Sequence, residues 1–341
     1  MVILLRQNKH HYQTMGKGTH FLGQPILNQL LNYFNKQNIL QISRDMGGER
    51  YVKSFNAWCH LTVMLYAVIM RFDSLREITS ATMMEWRKLA HLGIKNLPRR
   101  STLSDANARR SHEIFGKIYQ RLYLTYKDKL SSDSPSGNMP KWMKKLQIID
   151  STTISLFSNL IFKGVGRNPK TGKKKGGMKV HTCIQGNEGV PCDVEFTSAA
   201  THDHFMLCPG KLNKGDILAI DRAYIDYAKF EEIVSIYKAR WAIESLFKQI
   251  KQNFPLRYFY GESANAIKIQ VWVTLIANLL ITLLQKGVSR SWSFSGLATI
   301  VRIMLMYYID VQGFLEHPEK DREEALAAIL ESPPEADEAE I

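Results

Sequence analysis

The sequence predicts an α/β protein in which a small sheet lies between two helical regions. Residues 24–129 carry helix-start signals and apolar runs of helical length. Residues 146–221 contain short apolar or alternating runs that are typical of strands, and from Tyr224 almost to Asp310 the pattern is helical again. The change of period follows the stretch SSDSPSGNMP, which has the composition of a linker.

Bulk composition indicates a polyanionic partner. The chain has 341 residues, 45% hydrophobic and 23% charged, which is ordinary for a globular protein. Its net charge of +13 favours nucleic acid over a membrane surface, with a merely basic protein as the alternative. The four cysteines form no C-x-x-C pair, which argues against a zinc knuckle or a disulfide framework and suits a reducing cytoplasm.

Helix boundaries in the first region are predicted from caps and breakers. A strongly apolar helix is expected from Ala57 to Phe72, and the stretch Asp73–Glu77 has the pattern of a cap that starts the next helix. Beyond the break at Pro98, Ser101 is predicted to cap one helix over LSDANARRSHEIFGKIYQRLY.

Four arginines gather on or just before that last helix. They are Arg99, Arg100, Arg109 and Arg110. Positive charge at a helix start opposes the helix macrodipole, so a nearby phosphate would relieve the conflict. We therefore predict that these arginines contact DNA, and a solvated basic face is the alternative.

Two aspartates each follow a short apolar strand. Asp150 ends the run LQIID and Asp221 ends the run GDILAID, while the segments around Gly186–Gly189 alternate as in a β-hairpin. Ligands of α/β sheets gather at the carboxyl ends of strands. If the two strands are parallel neighbours, their carboxylates meet there.

A stripe of polar side chains occupies one face of a helix further along the chain. On a helical wheel the stripe spans about 60°; it consists of Tyr237, Arg240, Glu244 and Lys251. The apolar positions form another side suited to a core; they are Ile243, Leu246, Phe247 and Ile250. Taken alone, an ordinary charged face with an Arg240–Glu244 ion pair explains the stripe.

Together, the stripe and the two aspartates predict phosphodiester chemistry. Asp150, Asp221 and Glu244 would form an oxygen-rich site, which suits Mg²⁺ or Mn²⁺ better than zinc. Two such ions can activate a water and stabilise the leaving oxygen of a phosphodiester. Arg240 and Lys251 could then hold the scissile phosphate, and Tyr237 could donate to it.

A lysine-rich loop, NPKTGKKKGGMK, is a weaker candidate for phosphate contact. The P-loop pattern requires four residues between its first glycine and Gly-Lys-Ser/Thr. Here five residues separate Gly166 from Gly172, and Lys174 occupies the position of the Ser or Thr. Nucleotide binding is therefore not expected. We favour a mobile loop in which Lys173, Lys174 and Lys175 grip DNA phosphates, with a solvated loop as the alternative.

Two further features are interpreted as structural. The apolar run Ala266–Leu284 approaches membrane-spanning length, but polar groups such as Lys268 and Asn278 interrupt it, so a buried core helix is predicted and no membrane partner. Three histidines lack a matching cysteine set, so a zinc site is not favoured; they are His181, His202 and His204.

Three motifs of the chain resemble those of DDE transposases of bacterial insertion sequences, in the type-four family with a Tyr-Arg-Glu-Lys signature. IDSTTISLF resembles the family's first-Asp motif, AIDRAYIDY its second-Asp motif, and YKARWAIESLFKQIKQN carries the signature spacing. The similarity runs over residues 16–316. It implies a ribonuclease H-like catalytic core, Mg²⁺ dependence and a helical N-terminal DNA-binding domain.

The resemblance also implies roles for individual residues. Asp150, Asp221 and Glu244 would be catalytic metal ligands. The predicted DNA contacts of the core are Tyr237, Arg240, Lys251 and Arg222. Element ends and target DNA would be the partners, with a homodimer assembling on DNA in the bacterial cytoplasm, at the nucleoid.

The expected domain organisation follows from the composition of the chain and from the same resemblance. Residues 1–15 are an uncertain extension, 16–130 the helical DNA-binding domain and 131–140 the linker. Residues 141–260 form the ribonuclease H-like core, 261–330 the C-terminal helices and 331–341 a disordered acidic tail.

The segment between Asp221 and Glu244 departs from the family pattern, because the usual strand and β-rich insertion are missing. A straight helix from Tyr224 would carry Glu244 about 30 Å along its axis, at about 1.5 Å per residue, whereas a turn near Val234 would return it to the aspartates. Since the segment offers no Gly or Pro, turn chemistry favours the straight or kinked helix. Two functions remain: an active transposase, or an internally deleted, inactive DNA-binding derivative.

Overall fold

The computed structural model describes residues 23–131, 145–155, 177–199, 201, 217–220, 241–320, 323 and 326–327. The described helices before the sheet are α1 Ile26–Leu31, α2 Lys36–Asp45, α3 Ala57–Met70, α4 Leu75–Met84, α5 Trp86–His91, α6 Arg100–Arg109 and α7 His112–Ser131. The described strands are β1 Leu146–Ser155, β2 Gly177–Gln185, β3 Pro191–Ser198 and β4 Ile217–Ile220. The described helices after the sheet are α8 Trp241–Asn253, α9 Ala264–Lys286, α10 Phe294–Met304 and α11 Val311–Glu316.

The predicted start positions of helices α3 and α4 are confirmed. Asn56 caps α3 by accepting from the backbone N–H of Cys59. The Ser74 hydroxyl accepts from the N–H of Glu77, whose carboxylate in turn accepts from the N–H of Asp73. Local hydrogen bonding therefore sets both boundaries.

The single helix predicted after Ser101 is wrong, because the structure has two helices there. α6 begins at Arg100 with Arg99 as its N-cap, so Ser101 lies inside the helix and does not cap it. The break falls at Arg110, which has extended backbone and donates to the carbonyl oxygens of Gly48 and Phe55. Its buried side chain is therefore bound to another loop at the point where the helix ends.

The long apolar helix α9 is the centre of the helical body. By length and composition it could cross a membrane, but 94% of its most apolar window is buried in the protein, which confirms the predicted core helix. Its polar Gln270 is satisfied inside the core: the side chain donates to the carbonyls of Pro255 and Tyr258 and accepts from the N–H of Tyr260.

Helices from before and after the sheet pack into one hydrophobic core. α9 lies against α3, α6 and α7, and α10 also contacts α3. Helix α1 is bonded to the end of α10, since the N–H of Leu27 donates to the carbonyl of Leu305 at 2.9 Å. Tyr260 likewise donates its hydroxyl to the carbonyl of Phe72 at 2.7 Å.

The described strands form one mixed sheet in the order β3-β2-β1-β4. β2 and β3 form the predicted antiparallel hairpin, and β2 is antiparallel to β1. β4 pairs with β1 in parallel, with Ile149 opposite Ile220. The two strands that precede the aspartates in the sequence are therefore parallel neighbours, as the prediction required.

One strand boundary differs from the prediction. β1 does not end at Asp150 but continues to Ser155, so Asp150 lies in the middle of the strand. Beyond Asp150 the sequence STTIS is polar and looks like a loop by hydropathy. Pairing with β2 continues as far as Ser155 and Gly177, and this long-range ladder holds the segment extended.

Buried tyrosine hydroxyls join the sheet to α7. Tyr119 donates to the carbonyl of Pro191 at 2.6 Å, and Tyr123 donates to the carboxylate of Glu188 at 2.6 Å. Phe196 of β3 packs edge-on against Trp272 of α9, with ring centroids 5.5 Å apart. The hairpin is therefore fixed to the helical body.

Candidate functional site

Asp150 is the predicted site residue that the sheet positions most clearly. It lies on β1 opposite Thr182 of β2, one residue beyond the Ile149–Ile220 pair that joins β1 to β4. The side chain is half-buried, and one carboxylate oxygen accepts from the N–H of Ser151 at 2.7 Å.

The second aspartate, Asp221, directly follows the last described residue of β4 but lies outside the described residues. Six other predicted contact residues also lie outside them: Arg222, Tyr237, Arg240, Lys173, Lys174 and Lys175. The same holds for His202 and His204. His181 lies on β2 and is buried, with Nε2 hydrogen-bonded to the Thr197 hydroxyl at 2.6 Å.

Glu244 lies in the first turn of α8, on the half-buried part of that helix. The apolar face predicted for this helix packs into the core, since Ile243, Leu246 and Ile250 are buried. Lys251 is exposed seven residues further along, on the same stripe as Glu244.

α8 packs against β1, the strand that carries Asp150, and against α10. The straight path that would hold Glu244 about 30 Å along the helix axis depends on residues 224–240, which lie outside the described residues. Twenty residues, 221–240, connect β4 to α8.

Within the described residues, no three His, Cys, Asp or Glu side chains cluster as metal ligands would. One of the three predicted ligands, Asp221, is outside that part of the chain, so the predicted triad is not tested by this observation. The donor chemistry fits a hard divalent ion, because Asp150 and Glu244 supply carboxylate oxygens.

The four N-terminal arginines divide into two groups. Arg99 and Arg100 are exposed at the start of α6, and Arg109 is exposed with an ion pair to Asp105 at 2.8 Å. Arg110, in contrast, is only 4% exposed and bonds to two backbone carbonyls and to His60. DNA contact stays a prediction for all four arginines, and the guanidinium of Arg110 is enclosed by the loop to which it bonds.

The structure also shows a basic cavity that the sequence analysis missed. It lies between the loop from Gly47 to Phe55 and α6. The available signal was the run GGERYVK, in which two glycines precede closely spaced basic and aromatic residues.

A match to a known family model covers the segment that contains the four described strands. Residues 141–234 match the family model of the transposase DDE domain, and residues 22–95 match a domain of unknown function (DUF4372). The chain therefore carries the DDE domain that defines one class of transposase. The match ends before Tyr237, so it does not include the polar stripe.

Two curated relatives specify the class further. The chain is 43% identical over 49 residues to “Putative transposase y4zB” of Sinorhizobium fredii, covering 14% of each chain. It is 39% identical over 67 residues to “Putative transposase for insertion sequence element IS4SA” of a Synechocystis species, covering 20% of each chain. No solved structure matches. The domain matches and these relatives together support a DDE transposase of an insertion sequence.

Proposed function

We propose that the protein binds the ends of an insertion sequence and cuts and joins DNA with a divalent metal ion. Asp150, Asp221 and Glu244 are the proposed metal ligands. The observation that carries the proposal is the parallel pairing of β1 and β4. An antiparallel or distant pair would have separated the two aspartates.

The register supports this arrangement. Ile149 lies opposite Ile220, and in the sequence each of these two residues is followed by an aspartate. Adjacent parallel strands are about 4.8 Å apart, so two side chains at matched positions can share one ion or an ion pair. The antiparallel hairpin, the parallel β4 and the packing of α8 against β1 support a ribonuclease H-like core.

The metal would be Mg²⁺ or Mn²⁺, since the proposed ligands are all carboxylates. A bound ion would supply an activated water and stabilise the leaving oxygen. The protein's own part is to hold the carboxylates on a rigid strand and a packed helix, so that little rearrangement is needed when DNA arrives.

The proposed DNA contacts surround this core. Among the described residues, Lys251, Arg99, Arg100 and Arg109 are exposed and available to phosphates. From the sequence we add Tyr237, Arg240, Arg222 and the lysines at 173–175. A homodimer that joins two element ends is the proposed assembly on DNA.

A second candidate is an inactive DNA-binding derivative. The observation in its favour is the short connection of 20 residues between β4 and α8, which leaves no room for the family's usual insertion. In that case the protein would occupy element ends without cutting them.

The decisive experiment uses a labelled duplex that carries the end of the chain's own insertion sequence, with and without Mg²⁺. Metal-dependent nicking that is lost in Asp150→Asn and Glu244→Gln supports the first candidate. The matched control is Glu262→Gln, an exposed glutamate outside the site, which should cut normally. Salt-sensitive binding without nicking supports the second candidate, and no salt-sensitive binding refutes both.

A further inference from the structure

A cavity of about 390 Å³ lies between the loop Gly47–Phe55 and α6. None of its lining residues belongs to the sheet or to α8, so it is separate from the proposed catalytic site. Its loop lies within residues 22–95, the matched domain of unknown function. Four of the charged side chains that line the cavity are cationic, namely Arg50, Lys53, Arg109 and Arg110, and one, Asp105, is acidic.

The loop is held in one conformation from beneath. Arg110 donates to the carbonyl of Phe55 at 2.9 Å and to that of Gly48 at 3.3 Å, so it ties the two ends of the loop together. The carboxylate of Glu49 accepts from the N–H of Ala57 at 2.8 Å and from the Ser43 hydroxyl at 2.7 Å. The loop is therefore preorganised without a ligand.

At the tip of this loop, Tyr51 is displayed to solvent. Its side chain is 85% exposed although its backbone has φ 61°, a left-handed conformation that bulky residues seldom adopt. The Arg50 guanidinium lies 5.0 Å from the ring centroid and donates to the phenol oxygen at 3.1 Å. An exposed aromatic ring in a costly conformation, next to clustered cations, has the composition of a base-stacking platform.

We propose that this cavity binds one unpaired nucleotide of a DNA single strand. The base stacks on Tyr51, and Lys53 and Arg109 contact the adjoining phosphates. A paired base has both faces covered by its neighbours in the duplex, so a stacking platform selects an unpaired one. The proposal rests on the proposed action on DNA, and it adds a single-strand site outside the catalytic core.

The test measures binding of the full chain to fluorescein-labelled oligo(dT) and to a blunt duplex by anisotropy. Tyr51→Ala should weaken oligo(dT) binding about tenfold or more, as expected for one lost base stack, and should leave duplex binding unchanged. Tyr51→Phe keeps the ring and should bind within about twofold of wild type. Lys53→Ala should lower the salt slope for the single strand by about 0.7.

Two controls separate binding from folding. Tyr307→Ala removes another exposed tyrosine, 62% exposed and outside the cavity, and should bind oligo(dT) as wild type does. Tyr51→Gly removes the ring where glycine adopts the backbone freely, so oligo(dT) affinity should fall while the melting temperature does not.

The proposal is overturned if Tyr51→Ala binds oligo(dT) as tightly as wild type does. It is also overturned if free dTMP competes as well as the oligonucleotide, because the cavity would then be a nucleotide pocket. The outcome is independent of cutting: failure to nick element ends with Mg²⁺ refutes the catalytic proposal and does not affect the Tyr51 comparison.

Discussion

The hairpin of the sheet is anchored to α7 by a buried carboxylate, and removing one bond to it should destabilise the protein measurably. Glu188, in the β2–β3 turn, is 1% exposed. It accepts from the Tyr123 hydroxyl at 2.6 Å and from the Ser131 hydroxyl at 3.0 Å. Burial lowers the pKa of Lys286, and the nearby charge of Glu188 opposes that effect without cancelling it.

Tyr123→Phe deletes one hydroxyl and keeps the ring, so it isolates this hydrogen bond. A bond to a charged group contributes about 1.5–3 kcal/mol, and a buried carboxylate that loses one of two donors belongs in the upper part of that range. We therefore expect the free energy of unfolding to fall by about 2–3 kcal/mol. The measurement is urea unfolding of the full chain followed by tryptophan fluorescence.

The matched control is Tyr126→Phe, on the same helix. Its hydroxyl donates to a neutral acceptor, the carbonyl of Tyr33, at 3.2 Å in a half-buried position. That change should cost about 0.5–1 kcal/mol. In a Glu188→Gln background the cost of Tyr123→Phe should shrink, because the charge is gone. If both tyrosine variants lose the same stability, the argument that Glu188 anchors the hairpin is refuted.

Two more stability predictions concern the N-terminal helices. Gly48→Ala would place a Cβ 2.5 Å from Ile114 Cδ1 and 2.6 Å from Ser43 Oγ, so thermal unfolding should show a loss of about 1–3 kcal/mol; an unchanged melting temperature would contradict the tight packing. Burial, and then the charge of Arg110, lowers the pKa of His60 from 6.5 to about 3. Because the unfolded chain binds a proton that the native state does not, stability should fall as pH drops from about 6.5 towards 3, by about 2 kcal/mol at pH 5. His60→Gln should flatten this dependence in urea titrations at several pH values, and an equal slope in both proteins would exclude His60 as its source.

Features that depend on neighbouring residues were predictable from the sequence. The Ser74 cap, the apolar length of α3 and the hairpin about Gly186–Gly189 all follow from side chains within a few residues of one another. The core face of α8 was predictable for the same reason, because helical period alone places Ile243, Leu246 and Ile250 together.

The predictions that failed depended on distant partners. Asp150 was expected at a strand end, but β2 extends the ladder past it to Ser155. One helix was expected to run through Arg110, but it breaks there, and two carbonyls from a loop 55 to 62 residues earlier bind the Arg110 side chain inside the protein. Neither partner leaves a signal in the local sequence.

The sequence by itself determined the resemblance to insertion-sequence transposases and located the two aspartates of the resembling motifs, because both depend only on residue identity and spacing along the chain. Only the tertiary structure decided that β4 lies beside β1 in parallel and that α8 packs on the same strand. Hydrogen-bond ladders and buried faces between segments about 70 to 100 residues apart determine that arrangement, and no local pattern encodes which segments will meet.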